Sequence, residues 1–519
     1  MSSEKPPLAP ETSPPSDTAF FGHPSGLSTL FFTEMWERFS YYGMRAILIL
    51  FMTHPVAEGA LGFSDSKAGL IYGLYTGIVY VLSLPGGWIA DRFLGQRKAV
   101  LYGGVGIMFG HLALTVPTME TFYLGLVLIA LGTGLLKPNI STIVGQLYTP
   151  EDKRRDSGFS IYYMGINLGA TTGQIVVGPL LAQSETFQRF LASVGLPPSM
   201  AWHFAFGAAA LGMFIGIVQY VLGGRRLGTA GLLPTPPESP AAAAKSRRLL
   251  WIILASLVGA PALVGGLAAM GVPITADHIR FGTLGLLLAL GLGLFVAMFK
   301  LGTWSTDERK RLWVILLLFF GAIFFFAVFE QAGSTFNLFA DRNTRNEIFG
   351  WSFGSSTYQT VNSVFVILLS PVFAWLWLKL EKRPHPTSGP TKKFGSGLLL
   401  LGIGCLAMLP AAQIAATGAK AGPGWLINLY FIHTCAELCL SPVGLSWTTR
   451  LAPPRIAGLA MGIWFTGIAI GNYLAGIAAG LTESMSLTQS FLLSAIAPIG
   501  AGLVFFLLVG PVRKLLVKE

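Results

Sequence analysis

Fourteen predominantly apolar runs follow one another through this 519-residue chain, each near the ~20 residues that a helix needs to cross ~30 Å of hydrocarbon. Lipid offers the backbone no hydrogen-bond partners, so each run must satisfy its own amides as a helix. The composition agrees: 53% of residues are hydrophobic and 11% charged, where soluble domains carry about 25% charged residues. The chain reads as an all-α integral membrane protein.

Lys and Arg number 35 and set a net charge of +11, but they fall in short clusters between the apolar runs. No basic face exists to hold a nucleic acid. With both termini cytoplasmic, 26 of them lie on the inner side, including Arg92, Arg97, Lys98, Lys153, Arg154, Arg155, Arg309, Lys310 and Arg311, and six lie outside: Lys67, Arg189, Arg280, Arg342, Arg345 and Lys420. This bias orients the chain. The longest polar interruption, Gly223 to Arg248, carries Pro234, Pro236, Pro237 and Pro240 and reads as a linker. The expected organisation is a disordered cytoplasmic tail (1–26), a six-helix bundle (27–223), a linker with two additional spans (224–300), a second six-helix bundle (301–512) and a short cytoplasmic tail (513–519). Six, two and six is the plan of a two-bundle transporter with two extra helices.

Seven ionisable residues stand deep inside apolar runs: Glu34, Glu37, Arg38, Arg45, Lys137, Glu330 and Glu437. Each charge costs roughly 2.5–3.5 kcal/mol at a span centre, so they must face protein or water. At 100° per residue, Glu34, Glu37, Arg38, Tyr41, Tyr42 and Arg45 form one polar stripe on the first span. A structural ion-pair network would also make such a stripe, but buried pairs contribute little stability over apolar replacements. The signs divide by half: Arg45 and Lys137 precede the linker, while Glu330 and Glu437 follow it. A ligand with one negative and one positive end can be held between two such halves. Glu34 and Glu37 cannot both ionise cheaply unless Arg38 compensates, and a cluster of that kind can take up and release a proton.

Other residues have plainer readings. His433 and Glu437 are spaced i, i+4, but a metal pair lacks a third ligand at suitable spacing. His111 and His203 read as packing residues, and Cys405, Cys435 and Cys439 as small buried side chains without a disulfide framework. Gly69, Gly73 and Gly77 recur every four residues and predict close helix contact. Pro138 and Pro442 should free backbone carbonyls in their spans. No phosphate-binding loop follows a strand anywhere, so ATP is not the energy source.

The run EMWERFSYYG from Glu34 to Gly43 resembles the ExxERFxYYG signature of the proton-dependent oligopeptide transporters, a branch of the major facilitator superfamily. GGWIADRFLGQRK (Gly86 to Lys98), FSIYYMGINLG (Phe159 to Gly169) and AELCLSPVGLS (Ala436 to Ser446) resemble further motifs of that family, in order, and the two additional helices are typical of its bacterial members. The resemblance implies a major facilitator fold with 14 transmembrane helices and proton-coupled symport of di- and tripeptides by alternating access, without a cofactor or metal. It places proton coupling at Glu34, Glu37, Arg38 and Glu330. The peptide carboxylate would go to Arg45 and Lys137 and the amino group to Glu437, with Asn167, Asn362, Ser441, Tyr41, Tyr42, Tyr80 and Trp464 lining the site. Gating would fall to Asp91 and Arg92 on the cytoplasmic side, to an Arg45–Glu330 pair near the outer gate, and to a Lys137–Glu437 bridge when no peptide is bound. Where animal members carry a histidine on the second helix, this chain has Tyr72 and Gly73, so coupling would rest on carboxylates.

The expected setting is a bacterial inner membrane, with the chain functional as a monomer. Two alternatives stay open: a related carrier of a non-peptide solute such as nitrate, and a receptor that binds peptides without moving them. An enzyme is not expected, because no nucleophile stands beside a positioned base.

Overall fold

The computed structural model describes residues 17–149, 151–237, 239–300, 302–381, 389–453 and 456–516. Most of the expected N-terminal tail, and residues 517–519, lie outside them. From Asp17 onward the tail is packed: the Asp17 carboxylate accepts from the Ser25 amide at 2.9 Å, and His23 Nδ1 lies 2.9 Å from the Tyr148 hydroxyl. A carboxylate there satisfies a free N–H at the start of the first helix, which Pro24 cannot cap with a side chain.

The first group of helices is α1 (Ser25–Thr53), α2 (Asp65–Ile89), α3 (Gln96–Leu114), α4 (Met119–Gln146), α5 (Arg155–Ile175), the short α6 (Glu185–Ser193) and α7 (Ala201–Gly223). The linker leads to α8 (Pro240–Ala269) and α9 (Ala276–Lys300). The second group is α10 (Thr306–Phe329), α11 (Thr335–Asn343), α12 (Thr357–Glu381), α13 (Pro390–Ala407), α14 (Leu409–Ala416), α15 (Gly424–Leu451), α16 (Ala457–Leu481), α17 (Leu487–Leu507) and α18 (Val509–Leu516). A two-stranded hairpin, β1 (Glu347–Ile348) with β2 (Trp351–Ser352), turns through Phe349 and Gly350 at positive φ between α11 and α12. Among the described residues, eleven helical stretches are long and apolar enough to cross a membrane. The long helices α1, α3 and α5 occupy three more expected spans, and α1 carries the polar stripe.

Buried apolar side chains gather in two clusters. One is built almost wholly from the first helix group and the other from the second, with α9 contributing Leu287, Phe295 and Met298 to the latter. This places a seam between two bundles. Serine starts several helices: Ser305 and Ser486 form reciprocal capping boxes with Glu308 and Gln489, each satisfying two orphan donors.

Part of the seam is a glycine contact between α2 and α16. A Cβ added at Gly73 would lie 2.7 Å from the Tyr473 carbonyl oxygen, one at Gly77 would lie 3.1 Å from that of Ala469, and Gly476 abuts the Gly73 backbone. The four-residue spacing therefore lets two backbones touch. Overpacking such a contact costs ~1–3 kcal/mol. Gly476→Leu should therefore raise the population with this seam parted by roughly tenfold, read as labelling of a cysteine introduced on α2 facing α16. Labelling equal to that of the parent would refute a closed seam.

Candidate functional site

The first helix presents the expected stripe to the interior. Arg38 Nε lies 3.0 Å from Glu34 Oε1 and pairs with Glu37 through the same nitrogen. Glu34, Glu37 and Arg38 are all buried. The guanidinium carbon stands 5.4 Å from the Tyr41 ring centroid and 5.9 Å from that of Tyr42, within cation–π range. Two carboxylates thus share one guanidinium, and Glu34 Oε2 and both carboxylate oxygens of Glu37 lack a hydrogen-bond partner among the described residues.

Two turns further along α1, Arg45 crosses the seam to an ion pair with Glu330. Glu330 ends α10, where a 3-10 turn from Glu330 to Gly333 separates α10 from α11. The turn brings the carboxylate to the seam at mid-span. Arg45 Nε also donates to the Tyr72 hydroxyl at 2.7 Å. Tyr72 reaches it only because residue 333 is glycine, since a Cβ there would collide with that hydroxyl. So Tyr72, noted in the sequence only for standing where a histidine is found elsewhere, is the third member of this contact.

Further bonds join the bundles toward the end of α1. Asn337 and Gln359 both donate to the Ala46 carbonyl, at 2.8 and 3.2 Å. Gln183 bridges to Ser355 and Ser356, and Arg342 makes a two-pronged pair with Asp65 at 2.6 and 2.8 Å. These cross-seam bonds lie on the side that the charge bias makes external. The seam is closed on this side, the outer half in the expected orientation.

On α4, Lys137 Nζ stands 3.8 Å from the Tyr80 ring centroid of α2. It lies within electrostatic reach of Glu34, Glu37, Arg38 and Glu330. Across the seam, Glu437 accepts from the Asn362 amide at 3.1 Å, and that amide also donates to Thr434 at 3.0 Å. Glu437 feels Glu330, and Tyr42 of the opposite bundle feels Glu437. Charged groups of the two bundles thus lie within electrostatic reach of one another, and Lys137 and Glu437 are each only half-buried.

Some expected placements differ. No ion pair joins Lys137 to Glu437, so the bridge expected in the absence of peptide is not made. Asp91 does not latch the bundles either; its carboxylate accepts from Gln96 at 2.7 Å, and its carbonyl from the Thr235 amide of the linker at 2.7 Å. Arg92 faces the linker and α8. Trp464 is 4% exposed and packs against Gly444 and Phe394, inside the second bundle's core rather than on a cavity wall. Asn167 spends its amide on the Tyr163 carbonyl of its own helix at 3.1 Å. Ser441, one turn beyond Glu437 on α15, is half-buried. His433 turns away from Glu437, with Nε2 3.0 Å from the Leu401 carbonyl oxygen. Pro138 lies inside the continuous helix α4 beside Lys137, and Asn139 donates to the Leu135 carbonyl at 2.6 Å.

The sequence reading also passed over His54, which caps α1. Its Nδ1 lies 2.9 Å from Glu58 and its Nε2 3.0 Å from Asp341 of the other bundle. Two carboxylates on two ring nitrogens require the imidazolium, whose nitrogens both donate. The hydrogen bond to Asp341 first, and that to Glu58 after it, raise the His54 pKa above its ordinary 6.5, although burial opposes them. The contact therefore adds its full stabilisation to the closed outer half below pH 6.5 and loses it as pH rises through the raised value. In the parent, spin-label distances across the seam should show the closed population falling roughly two- to fivefold from acid to alkaline pH, the scale of a partly exposed pair. In His54→Gln they should be flat. An equal slope in both proteins would exclude this role.

A family profile described as PTR2: POT family matches residues 97–495. The chain is 40% identical over 476 residues to an uncharacterized transporter of Bacillus subtilis (strain 168), covering 91% of each. A peptide transporter of Yersinia enterocolitica subsp. palearctica is 36% identical over 518 residues, covering 97% of this chain and 98% of the relative. Among solved structures, a peptide transporter crystallised with sulfate aligns at a TM-score of 0.85 and 37% identity, covering 96% of each chain.

Proposed function

The chain belongs to the POT family of transporters, and from that membership and the geometry of its buried charges we propose that it is a proton-coupled symporter of di- and tripeptides. It would bring them across a bacterial inner membrane by alternating access, as a monomer with both termini inside. The observation that carries this reading is the charge of the chamber. Arg38, Arg45 and Lys137 stand against Glu34, Glu37, Glu330 and Glu437, which leaves one negative charge unmatched. A zwitterionic peptide adds no net charge and cannot balance it. One proton can.

In this reading Lys137 takes the peptide carboxylate, joined by Arg45 once Glu330 is protonated, and Glu437 takes the amino group, its carboxylate held in place by Asn362. The ligand then ties one bundle to the other. Protonation of Glu330 removes the partner of Arg45 and favours opening of the outer half, and the Glu34–Glu37–Arg38 cluster takes part in passing the proton inward, so that the carrier is deprotonated before it returns empty. Asp91 and Arg92 would close the inner side in the opposite state. Because peptide and proton each favour the occluded state, the downhill movement of one drives the other inward.

The test is uptake into proteoliposomes. Dipeptide should accumulate above its external concentration when the lumen is alkaline and only equilibrate when no gradient is imposed. Accumulation that ignores the gradient would remove proton coupling, and binding without flux would leave a receptor.

A further inference from the structure

Helix α8 has an apolar 18-residue window of mean hydropathy 2.1, and none of its described residues is buried. Its apolar length has the composition to face lipid, and its attachment lies at its polar start. There the linker is strapped to the first bundle: the Arg97 side chain donates to the carbonyls of Ala230 and Gly228, both at 2.6 Å, the Gly231 amide to Gln146 at 2.7 Å, and the Thr235 amide to the Asp91 carbonyl. Ser239 then caps α8.

Where strap, helix and the α2–α3 turn meet, they enclose a cleft of about 130 Å³. Its walls are Arg92 and Phe93 of the turn, Thr235 and Pro237 of the strap, and Ser246 and Arg247 of α8, with Ala243 beside them. Neither Arg92 nor Arg247 has an ion-pair partner among the described residues. Asp91, next to Arg92, is occupied by Gln96. Two guanidinium groups and two hydroxyls around one small space have the donor chemistry of a phosphate site. At ~30 Å³ per water the cleft holds about four waters, room for a phosphate group and not for a nucleoside. Arg247 stands between Lys245 and Arg248 immediately before the apolar stretch of α8, at the depth of inner-leaflet headgroups.

We propose that this cleft binds a net-anionic phosphate group, that of an inner-leaflet phospholipid headgroup or a free phosphate, and that the bound anion staples α8 to the first bundle through Arg92 and Arg247. The strap brings the two arginines together, and the anion offsets their repulsion. The site gives the first of the two additional helices an attachment that its buried surface does not supply.

The test uses delipidated full-length protein and two probes. By native mass spectrometry, phosphatidylglycerol should be retained about tenfold more than phosphatidylcholine. Arg92→Gln or Arg247→Gln should bring retention down to the phosphatidylcholine level, while Arg225→Gln, an exposed arginine elsewhere on the same face, should not. In a parallel melt, inorganic phosphate is compared with chloride at matched ionic strength. A rise in Tm in the parent that is absent in Arg247→Gln identifies free phosphate as sufficient, and no rise beside selective lipid retention identifies the headgroup. Equal phosphatidylglycerol retention in parent and both variants, with no phosphate-specific rise, overturns the proposal.

Discussion

Glu330→Gln should abolish gradient-driven peptide accumulation, by at least about tenfold, while leaving peptide exchange across the same liposomes within about threefold of the parent. The amide keeps the size and hydrogen-bonding capacity of the carboxyl but cannot carry its charge, so it imitates a permanently protonated residue. Arg45 then loses its ion-pair partner inside the protein and keeps only the Tyr72 hydroxyl. Stranding one member of a buried pair costs ~3–5 kcal/mol. The chain need not unfold to relieve that cost, because parting the outer half exposes Arg45 to water. The closed state made by Asp65–Arg342 and His54–Asp341 would still form, but with less to hold it. Exchange needs only rocking with peptide bound, whereas net uptake needs the empty carrier to discharge its proton. The variant separates the two. Accumulation at the parent's rate would show that Glu330 is a structural partner of Arg45 and nothing more, and loss of exchange as well would point to a collapsed fold. Glu330→Asp, which restores a titratable group on a shorter arm, should recover part of the accumulation.

Much of this arrangement was legible before any coordinates. The apolar runs and the cost of charge in lipid mark the spans, and the stripe from Glu34 to Arg45 follows from helical period alone. What could not be read was pairing across the seam. Glu330 stands out as a charge in an apolar run, but that it meets Arg45 depends on the 3-10 turn at Glu330–Gly333 and on the absence of a side chain at Gly333. His54, Asp65, Asp341 and Arg342 sit in or beside loops, where charges are ordinary, and nothing local distinguishes a gate contact from a solvated residue. Trp464 misled for the opposite reason. An aromatic near a polar site suits a cavity wall and a core equally, and the close approach of Gly444 that draws it inward is a tertiary fact. The expected Lys137–Glu437 bridge and Asp91 latch depend on which conformation is populated, and a sequence does not say which one is.

The sharpest test of peptide orientation comes from removing a charge on the carrier and the matching charge on the ligand together. Lys137→Gln and Glu437→Gln should each weaken binding of a free dipeptide by about 10- to 100-fold, since hydrogen bonds to charged groups contribute ~1.5–3 kcal/mol and 1.4 kcal/mol is tenfold. An N-acetylated dipeptide has no ammonium for Glu437 to hold, so it should bind the parent weakly and Glu437→Gln no worse. A dipeptide amide, lacking the carboxylate, should be indifferent to Lys137→Gln in the same way. The logic is that of a double-mutant cycle, with the ligand as the second mutant. Lys137 has no carboxylate within ion-pair distance among the described residues, so its loss breaks no ion pair and gives up only the cation–π contact with Tyr80. Glu437 is held by Asn362, and its conversion to Gln preserves an acceptor for that amide. If the pairing appears with the two modified peptides exchanged, the peptide lies the other way round. If both variants lose the free and the modified peptides equally, neither residue reads a peptide terminus, and the charge split between the bundles serves gating alone.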